Sequence, residues 1–101
     1  MEEKFPSFAD FYRFYLAEHS DTNCRRLHFA GSALVLVILA YAMVTQKWPA
    51  LIALPIVGYG FAWVGHFVFE KNRPATFKYP LYSLMGDWVM FKDILIGKVK
   101  I

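Results

Sequence analysis

Two long stretches without charge dictate what this chain can fold into. Residues 27–46 carry no charged side chain, and neither do residues 48–69, so Lys47 is the only charge between Leu27 and Phe69. A helix rises about 1.5 Å per residue, so about 20 apolar residues cross a hydrocarbon core of roughly 30 Å. Two such runs, broken at Lys47, Trp48 and Pro49, predict a helical hairpin that crosses a membrane twice. Folding the runs back on each other leaves His28 and His66 equidistant from the break, at one depth and on one side. His19 lies just ahead of the first run, on that same side. Three imidazoles meeting at one membrane interface make a candidate metal site.

The totals agree with this reading. The chain is 57 % hydrophobic and 19 % charged, against an apolar share of about 45–50 % in soluble domains. Its 101 residues suit a single membrane domain over 1–101. Met1-Glu2-Glu3 is acidic where a secretory signal would be basic, so no cleaved targeting segment is expected. One cysteine, Cys24, excludes an internal disulfide. The net charge of +3 is no nucleic-acid footprint, because ten of the eleven Lys and Arg residues lie outside the hairpin. Arg25, Arg26, Lys71, Arg73 and Lys78 flank the runs, and positive charge favours the cytoplasmic side. Both termini and the histidines are therefore expected to be cytoplasmic.

The expected fold class is all-α: a hairpin of two transmembrane helices flanked by amphipathic interfacial helices at each end. The first helix is expected over about 7–18, with Ser7 as N-cap answered by Asp10. Phe8, Phe11, Tyr12, Tyr15 and Leu16 share one face at helical spacing, which suits a helix lying at headgroup level. The spans are expected at 24–46 and 49–71. Asn23 reads as a cap, Pro49 as a first-turn proline, Trp48 as an interfacial anchor and Pro55 as a kink. Gly58, Ala62 and Gly65, facing Gly31, Ser32 and Ala33, suit close helix packing in lipid. A last helix over 80–97 carries an apolar stripe of Leu81, Leu84, Met85, Trp88, Phe91 and Leu95. Asp87, Lys92 and Asp93 make it a poor span, so it belongs at the interface or against the first helix.

Helix axes pack about 8–10 Å apart, so imidazoles in the seam can share one ion at roughly 2.0–2.2 Å each. Glu70 follows His66 by four residues and is a further candidate ligand, an orienting carboxylate, or a partner for Arg25, Arg26 or Arg73. Two histidines and a carboxylate suit non-haem Fe(II), and three histidines suit zinc as well. Two histidines at one depth also suit axial haem ligation, and interfacial histidines on a small lipid-binding scaffold need no metal at all. There is no Gly-rich phosphate loop, no Gly-x-Ser-x-Gly elbow and no Cys-x-x-Cys pair.

Phe11-Tyr12-Arg13-Phe14-Tyr15, followed by His19, Asn23, His28 and Gly31, resembles the first motif of a known family. Gly65-His66-Phe67-Val68-Phe69-Glu70-Lys71-Asn72-Arg73-Pro74-Ala75 resembles its second and more specific motif. The family is the membrane-bound 2-hydroxy-fatty-acid dioxygenases, whose characterised fungal member works in phytosphingosine breakdown. The resemblance implies an Fe(II) enzyme that uses molecular oxygen to shorten a 2-hydroxy fatty acid by one carbon. It implies His19, His28 and His66 as the catalytic iron ligands. Arg25, Arg26 and Arg73, with Asn23, would then be near the substrate carboxylate, and membrane lipid would surround the acyl tail. Longer members place further membrane segments between the motifs, whereas a single hairpin joins them here. Tyr59 and Ala62 stand where those members have Trp and Gln, and the spacing from Asn23 to His28 is one residue longer. With two spans per chain, a homodimer is expected to enclose an acyl chain.

Overall fold

Local capping decides where each helix begins. The computed structural model describes residues 5–101, so the acidic start Met1–Glu3 lies outside the described residues. Helix α1 (Phe8–Glu18) opens where the Ser7 hydroxyl oxygen accepts the Asp10 N–H at 3.3 Å. The hydroxyl in turn donates to the Asp10 carboxylate at 3.2 Å, the reciprocal cap expected from the sequence. Helix α2 (Thr22–Thr45) is capped by Asp21 instead of Asn23. The Asp21 carboxylate accepts the N–H groups of Asn23 at 2.8 Å and Cys24 at 3.1 Å. An ionised oxygen satisfies two orphan donors at the positive end of a helix, which an Asn does less well. The helix therefore starts two residues earlier than expected, and Asn23 sits exposed in its first turn.

The second span is composite. A 3₁₀ turn (Trp48–Ile52) carries Pro49 in its first turn, α3 (Ala53–Val64) follows, and a π-helical turn (Gly65–Glu70) completes it. Pro55 falls in the first turn of α3, where a missing N–H leaves no helical bond unmade. The irregularity expected there as a kink is taken up by the 3₁₀-to-α junction before it. After a 3₁₀ turn (Ala75–Phe77), α4 (Pro80–Leu95) runs to the C-terminal segment. No strand occurs among the described residues.

Thr22–Thr45 and Trp48–Glu70 are each long and apolar enough to cross a membrane, and only 17 % and 11 % of their apolar windows are covered by protein. The core helix of a soluble protein would be mostly covered. Here Val44, Ile52 and Ile56 are 84 %, 69 % and 68 % exposed. Glycine sets how closely the two spans approach. A Cβ at Gly31 would lie 2.9 Å from the Phe61 Cβ, and one at Gly65 would lie 2.9 Å from the Cys24 Sγ.

The aromatic face of α1, expected at headgroup level, is turned onto α4. Phe11 and Tyr15 are fully buried there with Tyr79, Met90 and Val99. A Cβ at Gly86 would meet the Tyr15 ring at 2.9 Å, and the Tyr12 hydroxyl donates to Asp93 at 2.8 Å. Helix α4 reaches the hairpin as well, with Phe91 stacked on Phe29 at 4.9 Å. The α1–α4 pair thus sits over the end of the hairpin that carries the histidines.

The approach at Gly65 is testable. Gly65→Ala should cost about 1–3 kcal/mol through overpacking, read as a lower melting temperature in detergent. Cys24→Ala in the same chain should return part of that loss, because the two sites touch. Strict additivity would show that the contact is not limiting.

Candidate metal centre

The hairpin and α1 bring the three histidines together. His19 ends α1, His28 lies on α2 and His66 lies in the π turn. They are 1 %, 7 % and 1 % exposed, so they are interior groups and not interfacial decoration. Their ligand nitrogens all lie within 4.8 Å of one another. His66 Nε2 is 2.8 Å from His19 Nε2 and 3.3 Å from His28 Nε2.

The neighbours decide where the protons are. His19 Nδ1 is 2.6 Å from the Tyr15 carbonyl oxygen, which can only accept, so Nδ1 carries the hydrogen. His66 Nδ1 is 2.7 Å from Asn72 Oδ1. The Asn72 amide nitrogen donates to the Glu18 carbonyl at 3.1 Å, which turns its oxygen towards His66 and makes His66 Nδ1 the donor too. His28 Nδ1 faces Asp87 Oδ1 at 3.8 Å. Neutral imidazoles protonated at Nδ1 present bare lone pairs at Nε2. Two of these at 2.8 Å are acceptor against acceptor, and a cation between them removes the repulsion. Three nitrogens bound at about 2.1 Å to one ion lie about 3.0–3.4 Å apart, close to the spacing observed. The residues therefore fit a divalent metal on one triangular face. A haem does not fit, because 3.3 Å between His28 and His66 leaves no gap for a macrocycle.

Electrostatics keep the site ready. Burial, then the neighbouring His28 and His66, hold the His19 imidazole well below its ordinary pKa, so it stays neutral and able to ligate. Burial lifts the Asp87 carboxyl to about 6, opposed by the bond it accepts from the Tyr15 hydroxyl. Burial also raises the Tyr15 hydroxyl well above its usual range, with Asp87 adding to the effect. Tyr15 thus has three tasks: its carbonyl orients His19, its ring stacks on His19 with centroids 3.9 Å apart, and its hydroxyl holds Asp87.

The other sequence candidates are placed differently. Glu70 is not part of the cluster. Its carboxylate accepts the Asp21 N–H and the Ser20 hydroxyl, tying down the α1–α2 connection. The physical reason is that Asp21 and Ser20 at the α1–α2 connection present donors that claim both of its oxygens. Arg25 is also structural: its Nε donates to the His19 carbonyl at 2.6 Å and its Nη1 to the Lys100 carbonyl at 3.2 Å. Asn23, Arg26 and Arg73 are exposed. Asn72, Tyr15 and Asp87 are the residues that sequence reasoning missed. Asp87 had left a signal, since it lies on the apolar stripe of α4 between Leu84 and Trp88.

Asn72→Ala should weaken metal binding about 10–100-fold, as loss of an orienting acceptor does, measured by competition with a chelator. Asn72→Asp keeps an acceptor and should recover most of it. Unchanged affinity in Asn72→Ala would show that His66 holds its orientation without Asn72.

No curated protein matches the chain, and no solved structure does. A family model described as 2-hydroxy-palmitic acid dioxygenase Mpo1-like matches residues 5–99, nearly the whole length. The chain therefore belongs to the Mpo1-like family of 2-hydroxy-palmitic acid dioxygenases.

Proposed function

We propose that this chain is a membrane-embedded dioxygenase that takes a 2-hydroxy fatty acid to the acid one carbon shorter, with Fe(II) held by His19, His28 and His66. The observation that carries this reading is the convergence of three buried imidazoles on one point, with His19 and His66 held there through hydrogen bonds at Nδ1. Three histidine nitrogens suit zinc as well as iron, and the family's dioxygenase description favours iron. When bound, Fe(II) supplies the redox chemistry that lets molecular oxygen react with a closed-shell substrate.

The net reaction balances without a further reductant. The C1–C2 bond breaks, C1 leaves as carbon dioxide, and C2 becomes the carboxyl carbon of the shortened acid. One dioxygen takes up the four electrons, and one water is formed. The protein's share would be to hold that metal through the ring nitrogens of His19, His28 and His66. Beside the histidines is a space of about 20 Å³, enough for roughly one water-sized ligand. Tyr15 and Asp87 line it and fix the imidazole edges, while Asn72 sets the plane of His66. Arg26 and Arg73, exposed near the histidine end, draw a carboxylate to the interface by charge alone. Positive flanks put that end, with both termini, on the cytoplasmic side.

Metal analysis of anaerobically purified protein tests the reading. About one iron per chain is expected, lost in His28→Ala and His66→Ala together with conversion of 2-hydroxypalmitate to the acid one carbon shorter. Zinc in the same pattern, with no shortened product, would overturn the redox assignment. Retained conversion in either variant would remove that histidine from the reaction.

A further inference from the structure

A second and larger space adjoins the histidines. A cavity of about 320 Å³ runs along the seam between α2, α3 and α4. His28, Tyr59, Ala62 and Asp87 line both it and the small space at the cluster, so the two meet at these side chains. On α2 the wall continues from His28 to Ser32 and Val35, one helical face. On α3 it descends in four-residue steps from Ala62 through Gly58 to Leu54, and His66, four residues beyond Ala62 in the π turn, lines the small space above. Leu84 and Trp88 of α4 close the third side. A single chain therefore walls the seam on three sides.

The glycines on this seam differ in what they do. Gly31 and Gly65 are needed for helix approach, because a Cβ at either would lie 2.9 Å from its neighbour. Gly58 is not: a Cβ there would meet only Val35 at 3.5 Å, an ordinary contact. Its missing side chain is space, not closeness. The polar end of the cavity is marked independently. The Ser83 hydroxyl lines the histidine space, is 3 % exposed and has no hydrogen-bond partner. A buried hydroxyl with no protein partner is left to bond a water or a ligand oxygen in that space.

We propose that the seam cavity holds the acyl tail of the substrate, with Ala62 and Gly58 governing the chain length accepted and the Ser83 hydroxyl meeting a head-group oxygen. This rests on the histidine cluster being the reaction centre. The dimensions agree. Val35 lies about 10 Å below His28 and Leu54 about 18 Å below His66, at 1.5 Å per residue. An extended chain advances roughly 1.2 Å per bond, so the seam takes about 8–15 carbons. Gly58 lies about 12 Å below His66 on the same count, deep enough that a side chain there stops long tails and spares short ones.

The test is anaerobic binding of 2-hydroxy fatty acids of graded length, read by displacement of radiolabelled 2-hydroxypalmitate, which needs no turnover. Gly58→Leu should lose at least tenfold in affinity for chains longer than about ten carbons, the reach set by its depth, and keep its affinity for shorter ones. Gly60→Leu is the control, since a Cβ there meets nothing within 4 Å, and it should match the wild type at every length. Equal loss at all lengths, or none, overturns the channel. Should Gly58→Leu fail to fold, a 2-hydroxy fatty acid with a terminal diazirine answers on the wild type. Cross-links at Val35 and Leu54 support the channel. Cross-links at lipid-facing Val44 and Ile52 overturn it, as does labelling of the seam by a diazirine phospholipid that 2-hydroxypalmitate cannot displace. Length-dependent binding in a protein that makes no product supports the channel and rejects the reaction. Turnover with tails cross-linked outside the seam does the reverse.

Discussion

Three imidazoles whose ligand nitrogens crowd together in the interior are the constraint on which the rest of this structure depends. An unpaired buried acceptor costs about 1–3 kcal/mol, and in His19 and His66 the ring proton is committed to the far side, leaving Nε2 of each facing the other. Tyr15 fixes His19 through its carbonyl, and Asn72 fixes His66 through an amide whose orientation Glu18 enforces. Such a cluster is suited to a cation shared between the rings. Residues away from the centre serve the same end. Arg25 grips the His19 carbonyl, and Glu70 ties the α1–α2 connection back to the π turn that holds His66.

The hairpin alone could not build this site. It supplies His28 and His66, while His19 comes from a helix outside the spans. That helix is held by α4, through the buried Phe11 and Tyr15, and α4 is in turn stacked on α2. The aromatic face of α1 is thus the device that delivers the third nitrogen. The π turn is the complementary device on the other side. It widens the helix at Gly65–Glu70, and its left-handed exit at Lys71 returns the chain so that Asn72 reaches the histidine six residues before it.

Much of this was legible in the sequence, and what was not has a physical reason. Two uncharged runs around Lys47 are enough to predict the hairpin, and equal counts from the break are enough to pair His28 with His66. Joining His19 to them needed only its place on the same side. Glu70 is taken up by Ser20 and the Asp21 N–H, partners that a count along one helix does not reveal. Arg25 was misread because an arginine near a membrane end looks free until its carbonyl partners are known. The facing partner of α1 was left open because an aromatic stripe suits a headgroup layer and a second helix equally well. Asp87 was the missed clue: an acid on an apolar stripe is costly unless something there uses it.

The same economy bears on the cavity between the spans. A soluble enzyme of this length would need most of its apolar residues for its own core. Here the outward faces of both spans are left for lipid, and close packing of the inward faces at Gly31 and Gly65 holds the pair together. Gly31 and Gly65 draw the helices together at two points, and the gap at Gly58 and Ala62 can stay open between them. A tail that already prefers hydrocarbon to water gains little from entering an apolar seam, so the seam contributes position more than affinity. Position is what the polar end requires. Held by its tail along the row from Leu54 to His66, a head group has few places to go besides the one that Ser83, Asp87 and the three imidazoles surround.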